Sequence, residues 1–427
     1  MGNSIGSAIT GIDANQALLD TIGNNIANVN TVGYQSTDLQ FADLLYQQQS
    51  SAGAPQAGVS GGTNPVVVGS GVRIAASPTD FSQGTLQQTG TSTDVAISGQ
   101  GFLIASQGGQ SYYTRAGNLQ LDANGNLVTA TGALIQGWVP NATGTISTNS
   151  ALTNITIPQG QQSGANPTTN VSLSGNLPPF DPTLTTQNSY TATVSIYDSL
   201  GNAIPVTFTF TPGTPSGTAD PYTVTATVQP TTTGASPLNV LPSGTTINFN
   251  PATGQFVPPT GTAPALAIPV GSVSSSVPAA AIASALNFSA LTQVAGSSSV
   301  AVSSQNGYAS GSLEKFTINS DGTIQGSYSN GQSQVIGQIA LASFSNNQGL
   351  TKVGNLLYSS SPNSGLPQVG TAGTGGRGWL IGGSVETSNV NLGDQLTQLI
   401  VAQNAYQANT KVVSTSSTVL QSLVQMA

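Results

Sequence analysis

Charged residues are scarce in this chain of 427 residues, where Asp, Glu, Lys and Arg together make up only 5 %. A soluble domain usually carries about 25 %. Six basic residues stand against 14 acidic ones, the net charge is −8, and no Lys or Arg precedes Arg73. Proteins that bind nucleic acids neutralise phosphates with clustered Lys and Arg. The composition therefore excludes a nucleic-acid partner.

Cysteine and histidine are both absent. Zinc, haem and iron–sulfur sites depend on these side chains, as do Cys–His and Ser–His nucleophiles. Composition leaves open a metal site of carboxylates alone and a Ser–Lys nucleophile using Lys315 or Lys352, although neither lysine lies near a Ser motif on a predicted helix. The acids are scattered mostly in turns, with no evident pair for glycoside hydrolysis. We predict that the protein is not an enzyme and uses no cofactor.

Apolar runs long enough to cross a membrane are missing too, since a membrane helix needs about 20 such residues. The most apolar window, near residues 265–286, is broken by Pro269, Gly271 and Pro278. The opening Met-Gly-Asn-Ser-Ile-Gly lacks the basic and apolar regions of a secretory signal. We expect no membrane insertion, and export by a route that needs no cleaved signal peptide.

Apolar residues recur every seven positions at both ends of the chain, which is the spacing at which two helices pack in a coiled coil. The candidate packing residues of the N-terminal segment are Ile5, Ile12, Leu19, Ile22, Ile26 and Val29. Those of the C-terminal segment are Leu392, Leu396, Leu399, Tyr406, Val413 and Leu420. The pattern predicts helices over about residues 4–29 and 392–425, within terminal coiled-coil segments 1–35 and 385–427. We expect the two ends to meet and pair.

Several polar positions in these segments have a predicted role. Asn15 either fixes the register of the helix pair, as a buried Asn does in coiled coils, or faces a water-filled lumen. Tyr406 is interpreted as a packing residue. Gly33 is expected to leave the first helix in a left-handed conformation, and residues 387–389 are expected to cap the second.

Between the ends, short runs of alternating apolar residues predict β-structure. Residues 65–145 and 286–370 share this pattern and are interpreted as one core β-domain. Asp122-Ala-Asn-Gly125 predicts a hairpin turn. A calcium loop is the alternative, but it needs Glu where Ala133 stands.

A Thr-, Ser- and Pro-rich stretch, residues 146–285, is interpreted as an inserted outer β-domain with at least three alternating strands. Residues 36–64 and 371–384 are assigned as connecting segments, and Leu39 to Tyr46 is a candidate second helix. The predicted fold class is α+β, mainly β: a coiled-coil stem of N- and C-terminal helices, with two antiparallel β-sandwich or barrel domains between them.

Several sequence motifs resemble those of the flagellar axial family of rod and hook proteins, most closely its hook members. Terminal motifs are Asn24-Asn-Ile-Ala-Asn-Val-Asn-Thr-Val-Gly33-Tyr34, Glu386-Thr-Ser-Asn-Val-Asn-Leu392 and Val401-Ala-Gln-Asn-Ala-Tyr406-Gln-Ala-Asn409-Thr-Lys411. Core motifs are Asp80-Phe-Ser-Gln-Gly84, Asp94-Val-Ala-Ile-Ser-Gly-Gln-Gly-Phe102, Tyr113-Thr-Arg-Ala-Gly117, Tyr328-Ser-Asn-Gly331 and Ile339-Ala-Leu-Ala-Ser-Phe344. The family-motif residues are Asn25, Asn28, Asn30, Gly33, Tyr34, Glu386, Asn389, Gln403 and Asn409. The resemblance covers about residues 1–145 and 300–427.

The resemblance implies a structural subunit that polymerises helically with itself into the extracellular flagellar hook, a hollow flexible joint between rod and filament. It implies the hook cap, the distal rod, the hook–filament junction proteins and the flagellar export apparatus as partners. A distal rod subunit is the alternative within the family. A secreted β-rich adhesin or surface-layer subunit is the alternative outside it.

Overall fold

Two long helices occupy the ends of the chain, α1 over Gly2–Ala27 and α2 over Leu392–Met426. The computed structural model describes residues 2–55, 58, 61–141, 144–160, 162–230, 236–259, 264–268 and 282–426. Most of the apolar window 265–286 and part of the connecting segment 36–64 lie outside the described residues. Across the residues that are described, no helix is both long and apolar enough to span a membrane.

Strands fill most of the described chain between the helices. The first sixteen are β1 Gln40–Asp43, β2 Tyr46–Ser50, β3 Val66–Gly69, β4 Val72–Ala76, β5 Leu86–Gln88, β6 Val95–Ser98, β7 Phe102–Gln107, β8 Gln110–Thr114, β9 Leu119–Leu121, β10 Leu127–Thr129, β11 Leu134–Trp138, β12 Thr153–Asn154, β13 Asn170–Asn176, β14 Tyr190–Tyr197, β15 Ala203–Pro212 and β16 Asp220–Val228. The others are β17 Leu238–Asn239, β18 Thr246–Phe249, β19 Phe256–Val257, β20 Ala265–Ile268, β21 Ile282–Thr292, β22 Ala301–Gln305, β23 Leu313–Ile318, β24 Thr323–Tyr328, β25 Ser333–Ile339, β26 Leu341–Ser343, β27 Thr351–Gly354, β28 Leu357–Ser359, β29 Gln368–Gly370, β30 Trp379–Gly382 and β31 Ser384–Glu386. A 3₁₀ turn spans Asn347–Gly349. The predicted mainly-β fold with helices at both ends is confirmed.

The chain forms two compact units. The first unit comprises Met1–Pro158, Phe316–Gly326 and Gln334–Ala427, and the second comprises Gln159–Lys315 and Ser327–Ser333. The predicted insertion, 146–285, begins and ends earlier than the second unit. The later end follows from strand pairing, because β21 and β22 both flank β13 in one sheet. Residues 286–305 therefore belong with the insertion.

The first unit is built on a large sheet in the order β23-β24-β25-β11-β7-β8-β28-β27. One face of this sheet buries a cluster of aromatic side chains, in which the rings of Tyr113 and Phe344 meet edge to face at 4.7 Å. Edge-to-face contacts of this kind add about 0.5–1.5 kcal/mol beyond the buried area. The predicted turn at Asp122 is confirmed, since its carboxylate Oδ1 accepts the N–H groups of Asn124 and Asn126, each at 2.8 Å, between β9 and β10.

The predicted helix over residues 39–46 is wrong. Within that stretch, β1 pairs with β4 and β2 starts at Tyr46 to pair with β3, in two antiparallel ribbons separate from the large sheet. The partner strands contain β-branched residues, three valines in β3 and Val72 and Ile74 in β4, which favour strands. Pairing with β3 and β4 therefore outweighs the weak local preference of this stretch for a helix. The ribbons also contact α1, where the Thr10 hydroxyl accepts the Val72 N–H at 3.2 Å.

The second unit buries one hydrophobic core between two sheets. One sheet is the antiparallel series β14-β15-β16-β18-β19, and its first three strands are those predicted from alternation. The other has the order β20-β21-β13-β22, and in it β13 and β21 run parallel. The prediction of antiparallel strands alone is wrong here. A parallel pair needs a long crossover connection, and more than 100 residues separate these two strands.

Candidate functional site

Glu386 lies fully buried at the end of β31 and pairs with the buried Arg115 guanidinium, Nη1 to Oε1 at 3.1 Å. The same carboxylate oxygen accepts the Gly84 N–H at 3.0 Å, and the Glu386 carbonyl accepts the Gly33 N–H at 2.8 Å. Arg115 also donates from Nε to the Gly101 carbonyl. A buried charge is tolerated only when it is paired and fully hydrogen-bonded. Glu386 therefore ties the segment before α2 to the segment after α1 through Gly33, and to the β8–β9 connection through Arg115.

Asn389 makes a second tie between the same segments. Its Oδ1 accepts the Ser36 N–H at 2.8 Å, and its Nδ2 donates to the Asp80 carbonyl at 2.8 Å. The predicted cap at residues 387–389 is wrong, because these residues are engaged here. The cap of α2 is Asn391, whose Oδ1 accepts the Gly393 N–H at 3.0 Å.

Asn25 connects the last turn of α1 to the segment that follows it, at Thr37, and to the first turn of α2, at Gln395. Its side chain bonds to both backbone groups of Thr37: it donates to the Thr37 carbonyl at 2.9 Å and accepts the Thr37 N–H at 3.1 Å. It also donates to Gln395 Oε1 of α2 at 3.1 Å. Asn25 and Gln395 are both buried, so losing this bond would leave a polar group on Gln395 without water to replace its partner. We call Asn25, Arg115, Glu386, Asn389 and Gln395 the junction.

A cavity of about 560 Å³ opens beside the junction, between α1 and the tip of the β27–β28 hairpin. Lys352 lies on its wall, with Nζ 5.3 Å from the centre of the Tyr34 ring and donating to Thr37 Oγ1 at 2.7 Å. Partial desolvation lowers the pKa of Lys352 to about 8 and raises the pKa of Tyr34. At the hairpin tip, Asn355 and Leu356 adopt φ of 54° and 60°. Such values are rare for leucine, so the tip is strained.

The helices α1 and α2 pack against each other in antiparallel directions. Asn25 meets Gln395 at one end, and a Cβ on Gly11 would lie 2.8 Å from Nδ2 of Asn409 at the other. Covered positions follow intervals of three and four residues on each helix. They include Ala8, Gly11, Asn15, Leu18, Ile22 and Asn25 on α1, and Gln395, Leu399, Ala402, Tyr406, Asn409 and Val413 on α2, and Ala14 beside Asn15 is buried as well.

The twelve candidate packing residues have different exposures in the single chain. Ile22 is buried, and Leu392, Leu396 and Leu420 are 44 %, 46 % and 42 % exposed. Half-buried positions are Ile5, Ile12, Leu19, Ile26, Val29, Leu399, Tyr406 and Val413. On α1, the covered line thus passes through small and polar residues as well as the apolar ones. Asn15 donates to the Gly11 carbonyl of its own helix at 2.7 Å.

The family-motif residues fall into two groups. Asn25, Gly33, Tyr34, Glu386 and Asn389 surround the junction, and Gly33 has the expected left-handed φ of 72°. Asn28 bonds within its own turn, Asn409 faces Gly11, and Asn30 and Gln403 are exposed. Sequence reasoning missed the roles of Arg115, Lys352 and Gln395. The sequence signal that could have identified Arg115 is its position as a lone charged residue between two small ones, in Thr114-Arg115-Ala116.

Comparison with known proteins finds four family models along the chain. A flagella basal body rod protein model matches residues 5–35, and a flagellar hook protein FlgE/F/G D1 domain model matches residues 96–176. A flagellar basal body protein FlaE D2 domain model matches 165–308, and a flagellar basal body rod FlgEFG protein C-terminal model matches 381–426. The flagellar hook protein FlgE of Treponema pallidum (strain Nichols) is 36 % identical over 469 residues, covering 100 % of both chains. The chain belongs to the flagellar hook protein family.

Other hook proteins agree with this assignment. FlgE of Escherichia coli (strain K12) is 36 % identical over 431 residues and covers 98 % of both chains. The crystal structure of Helicobacter pylori flagellar hook protein FlgE2 matches with a TM-score of 0.51 and 15 % identity, over 70 % of this chain and 100 % of that one. That likeness shows a shared fold. The junction takes residues from three segments that match these models: 5–35, 96–176 and 381–426.

Proposed function

We propose that this hook-family protein polymerises with copies of itself into a hollow tube, the hook, which transmits torque from the rod to the filament. The terminal segments 1–35 and 385–427 line the tube as a coiled-coil stem, and the β-domains lie outside it. The observation that carries this proposal is the surface of α2. Apolar side chains stay exposed along it, namely Leu392, Leu396, Ile400, Val401, Val412, Val419, Leu420, Val424 and Met426.

These exposed residues have a simple physical consequence. Covering apolar surface contributes about 25 cal/mol per Å², so a helix with this much exposed apolar surface gains stability when neighbouring copies cover it. The end of α2 has the strongest case, because Val424 and Met426 are 78 % and 80 % exposed. Leu392, Leu396 and Leu420, which α1 leaves uncovered, are proposed to pack between copies.

The junction supports the same role by holding the helix pair on the first unit. A subunit that transmits torque needs a firm link between its stem and its β-structure, because a loose link would dissipate the applied rotation. Five hydrogen-bonded side chains, two of which form a buried ion pair, supply that link.

The small number of charged residues affects how firmly neighbouring copies hold each other in the polymer. Within the described residues one ion pair lies within 4 Å, Arg115–Glu386, and it is internal. The exposed apolar residues of the ribbons include Leu45, Tyr46, Val66 and Val67. Apolar contacts are non-directional. We propose that contacts between copies slide at small cost because few ion pairs lock them, as a bending joint requires.

Location and partners follow from the family. We propose an extracellular flagellar hook location, export through the flagellar export apparatus without a cleaved signal peptide, and end contacts with the hook cap, the distal rod and the hook–filament junction proteins. The core β-domain and the inserted domain are proposed to be the tube's outer parts. Full-length relatives named as hook proteins favour this over a rod subunit or an adhesin.

Electron microscopy of the purified protein, concentrated until it sediments, tests the proposal. Hollow, curved tubes are the expected result. Straight rods without curvature would favour the rod alternative, and a protein that stays monomeric at every concentration would contradict self-assembly. A variant with Val424 and Met426 changed to Ser tests the surface of α2: both side chains are exposed, so the variant should fold normally and assemble poorly.

A further inference from the structure

One line of exposed residues on α1 combines an apolar and an acidic side chain. Ile9 is 47 % exposed, and Asp13 lies one turn further along the same face, followed by Gln16 and Asp20. Residues four apart form a continuous ridge on a helix surface. Ile9 and Asp13 therefore form a short ridge that points away from α2.

A groove of about 260 Å³ lies on the surface of α2, lined by Tyr406, Gln407, Thr410, Lys411 and Ser414. Its two walls are ridges of the same kind, Tyr406–Thr410–Ser414 on one side and Gln407–Lys411 on the other. Such a groove accepts the ridge of another helix, which is the commonest mode of helix packing in globular proteins. Lys411 is the one basic residue of the two helices.

Neither Asp13 nor Lys411 is within ion-pair distance of an opposite charge among the described residues. The other acids of the helices are placed differently. Asp20 lies on the cavity wall that also carries Lys352, and Asp394 occupies the first turn of α2, where a negative charge suits the helix dipole. Asp13 is thus the acid without a local role.

We infer that the Ile9–Asp13 ridge of one copy docks in the Lys411 groove of a second copy. This inference rests on the proposed self-assembly. The Asp13 carboxylate then pairs with the Lys411 ammonium, and Ile9 lies against the Tyr406 ring. The complementarity is both electrostatic and apolar. Because each copy has one ridge and one groove, the contact is head to tail and can repeat along a polymer.

Charge reversal tests the pairing. Asp13→Lys and Lys411→Asp each place like charges together, and each should raise the critical concentration for sedimentable polymer about three- to tenfold at low salt. The double variant should return within about twofold of the wild type. The effect of the single variants should shrink at about 0.5 M salt, where charges are screened within a few ångströms.

Mixing the two single variants separates contact between copies from contact within one chain. In a 1:1 mixture, the ammonium introduced by Asp13→Lys in one variant meets the carboxylate introduced by Lys411→Asp in the other, so the mixture should polymerise like the wild type. A pair formed within one chain would stay broken in both variants, and the mixture would not recover. The matched control is a double variant in one chain, Asp20→Lys with Lys411→Asp: its Asp13 still faces the carboxylate introduced at position 411, so it should not recover as the double variant Asp13→Lys with Lys411→Asp does.

The outcomes also distinguish this inference from the proposed function. A wild-type protein that never polymerises contradicts self-assembly itself. Normal wild-type polymers with no change in the reversed variants, or recovery with Asp20→Lys in place of Asp13→Lys, would overturn the Asp13–Lys411 contact alone. Circular dichroism of each variant checks that the helices stay folded, as expected for two exposed side chains.

Discussion

Asn25 and Gln395 share a buried hydrogen bond of 3.1 Å across 370 residues of chain. Fourteen residues away on each helix, Gly11 meets Asn409. These two contacts set the antiparallel register of α1 and α2, because a slip of one residue would break the first and create a clash at the second. Buried polar residues between paired helices are an established means of specifying register.

Gly11→Leu should weaken the helix pair. The new side chain would overlap the Asn409 amide, since a Cβ alone would lie 2.8 Å from it, and overpacking typically costs about 1–3 kcal/mol. We expect a lower midpoint for thermal loss of the helical circular dichroism signal. Gly6→Ala is the control: nothing lies within 4 Å of its Cβ, so it should raise the midpoint slightly. Equal effects of both changes would argue against a register contact.

Arg115→Met should lower the free energy of unfolding of the first unit by about 3–5 kcal/mol, because it leaves the Glu386 carboxylate buried without its partner. Urea unfolding monitored by tryptophan fluorescence measures this. Combining Arg115→Met with Glu386→Leu should recover part of the loss, since no charge is then stranded. A double variant as unstable as the sum of both single variants would show that the two side chains act independently.

Replacing Ile22 or Leu399 by Asp should abolish polymerisation, since an unpaired carboxylate on the helix seam costs several kcal/mol and every subunit repeats the penalty. Sedimentation at equal protein concentration is the measurement. Gln398→Asp, one residue along and exposed, is the matched control and should assemble far better. Normal tubes from both seam variants would refute the paired-helix stem.

The free energy of unfolding should rise between about pH 8 and pH 10 through Lys352. Its pKa is lowered to about 8 in the folded chain by desolvation, against 10.5 ordinarily, so the unfolded chain holds more protons in this window and the folded state gains as pH rises. Solvent reaches part of this side chain, which reduces the effect. Denaturant unfolding at a series of pH values measures it. Lys352→Met should flatten the profile, and a wild-type profile that falls from pH 8 to 10 would contradict the assignment.

Deleting most of the second unit should leave the first unit folded and able to assemble. The chain enters and leaves the second unit side by side, because the Ser163 N–H donates to the Gly311 carbonyl at 2.7 Å. A short Gly-Ser linker in place of residues 164–310 can therefore join Ser163 to Gly311. Microscopy should show tubes with a changed outer surface. Loss of all folded structure would show that the first unit depends on the second.

Sequence reasoning found the order of the helices and the β-rich segments along the chain. It missed most of the contacts between segments that are far apart in the sequence. Alternation marked β14, β15 and β16 because their inward side chains, such as Phe208 and Phe210, must be apolar to be buried. It failed for β1, whose strand state depends on β4, and for the parallel pair β13 and β21. A partner more than 30 residues away leaves no local pattern.

The sequence by itself determined the helices at both ends, the β-rich middle, its main turns and the family, since each depends on spacing or motif within a short window. Only the tertiary structure decided which side of each helix is covered. On α1 that side runs through Ala8, Gly11 and Asn25, because close approach of two backbones favours small residues and because Asn25 finds its partner, Gln395, at the far end of the chain. The burial of Arg115 with Glu386 was decided in the same way: a charge can leave water only where folding supplies its counter-charge.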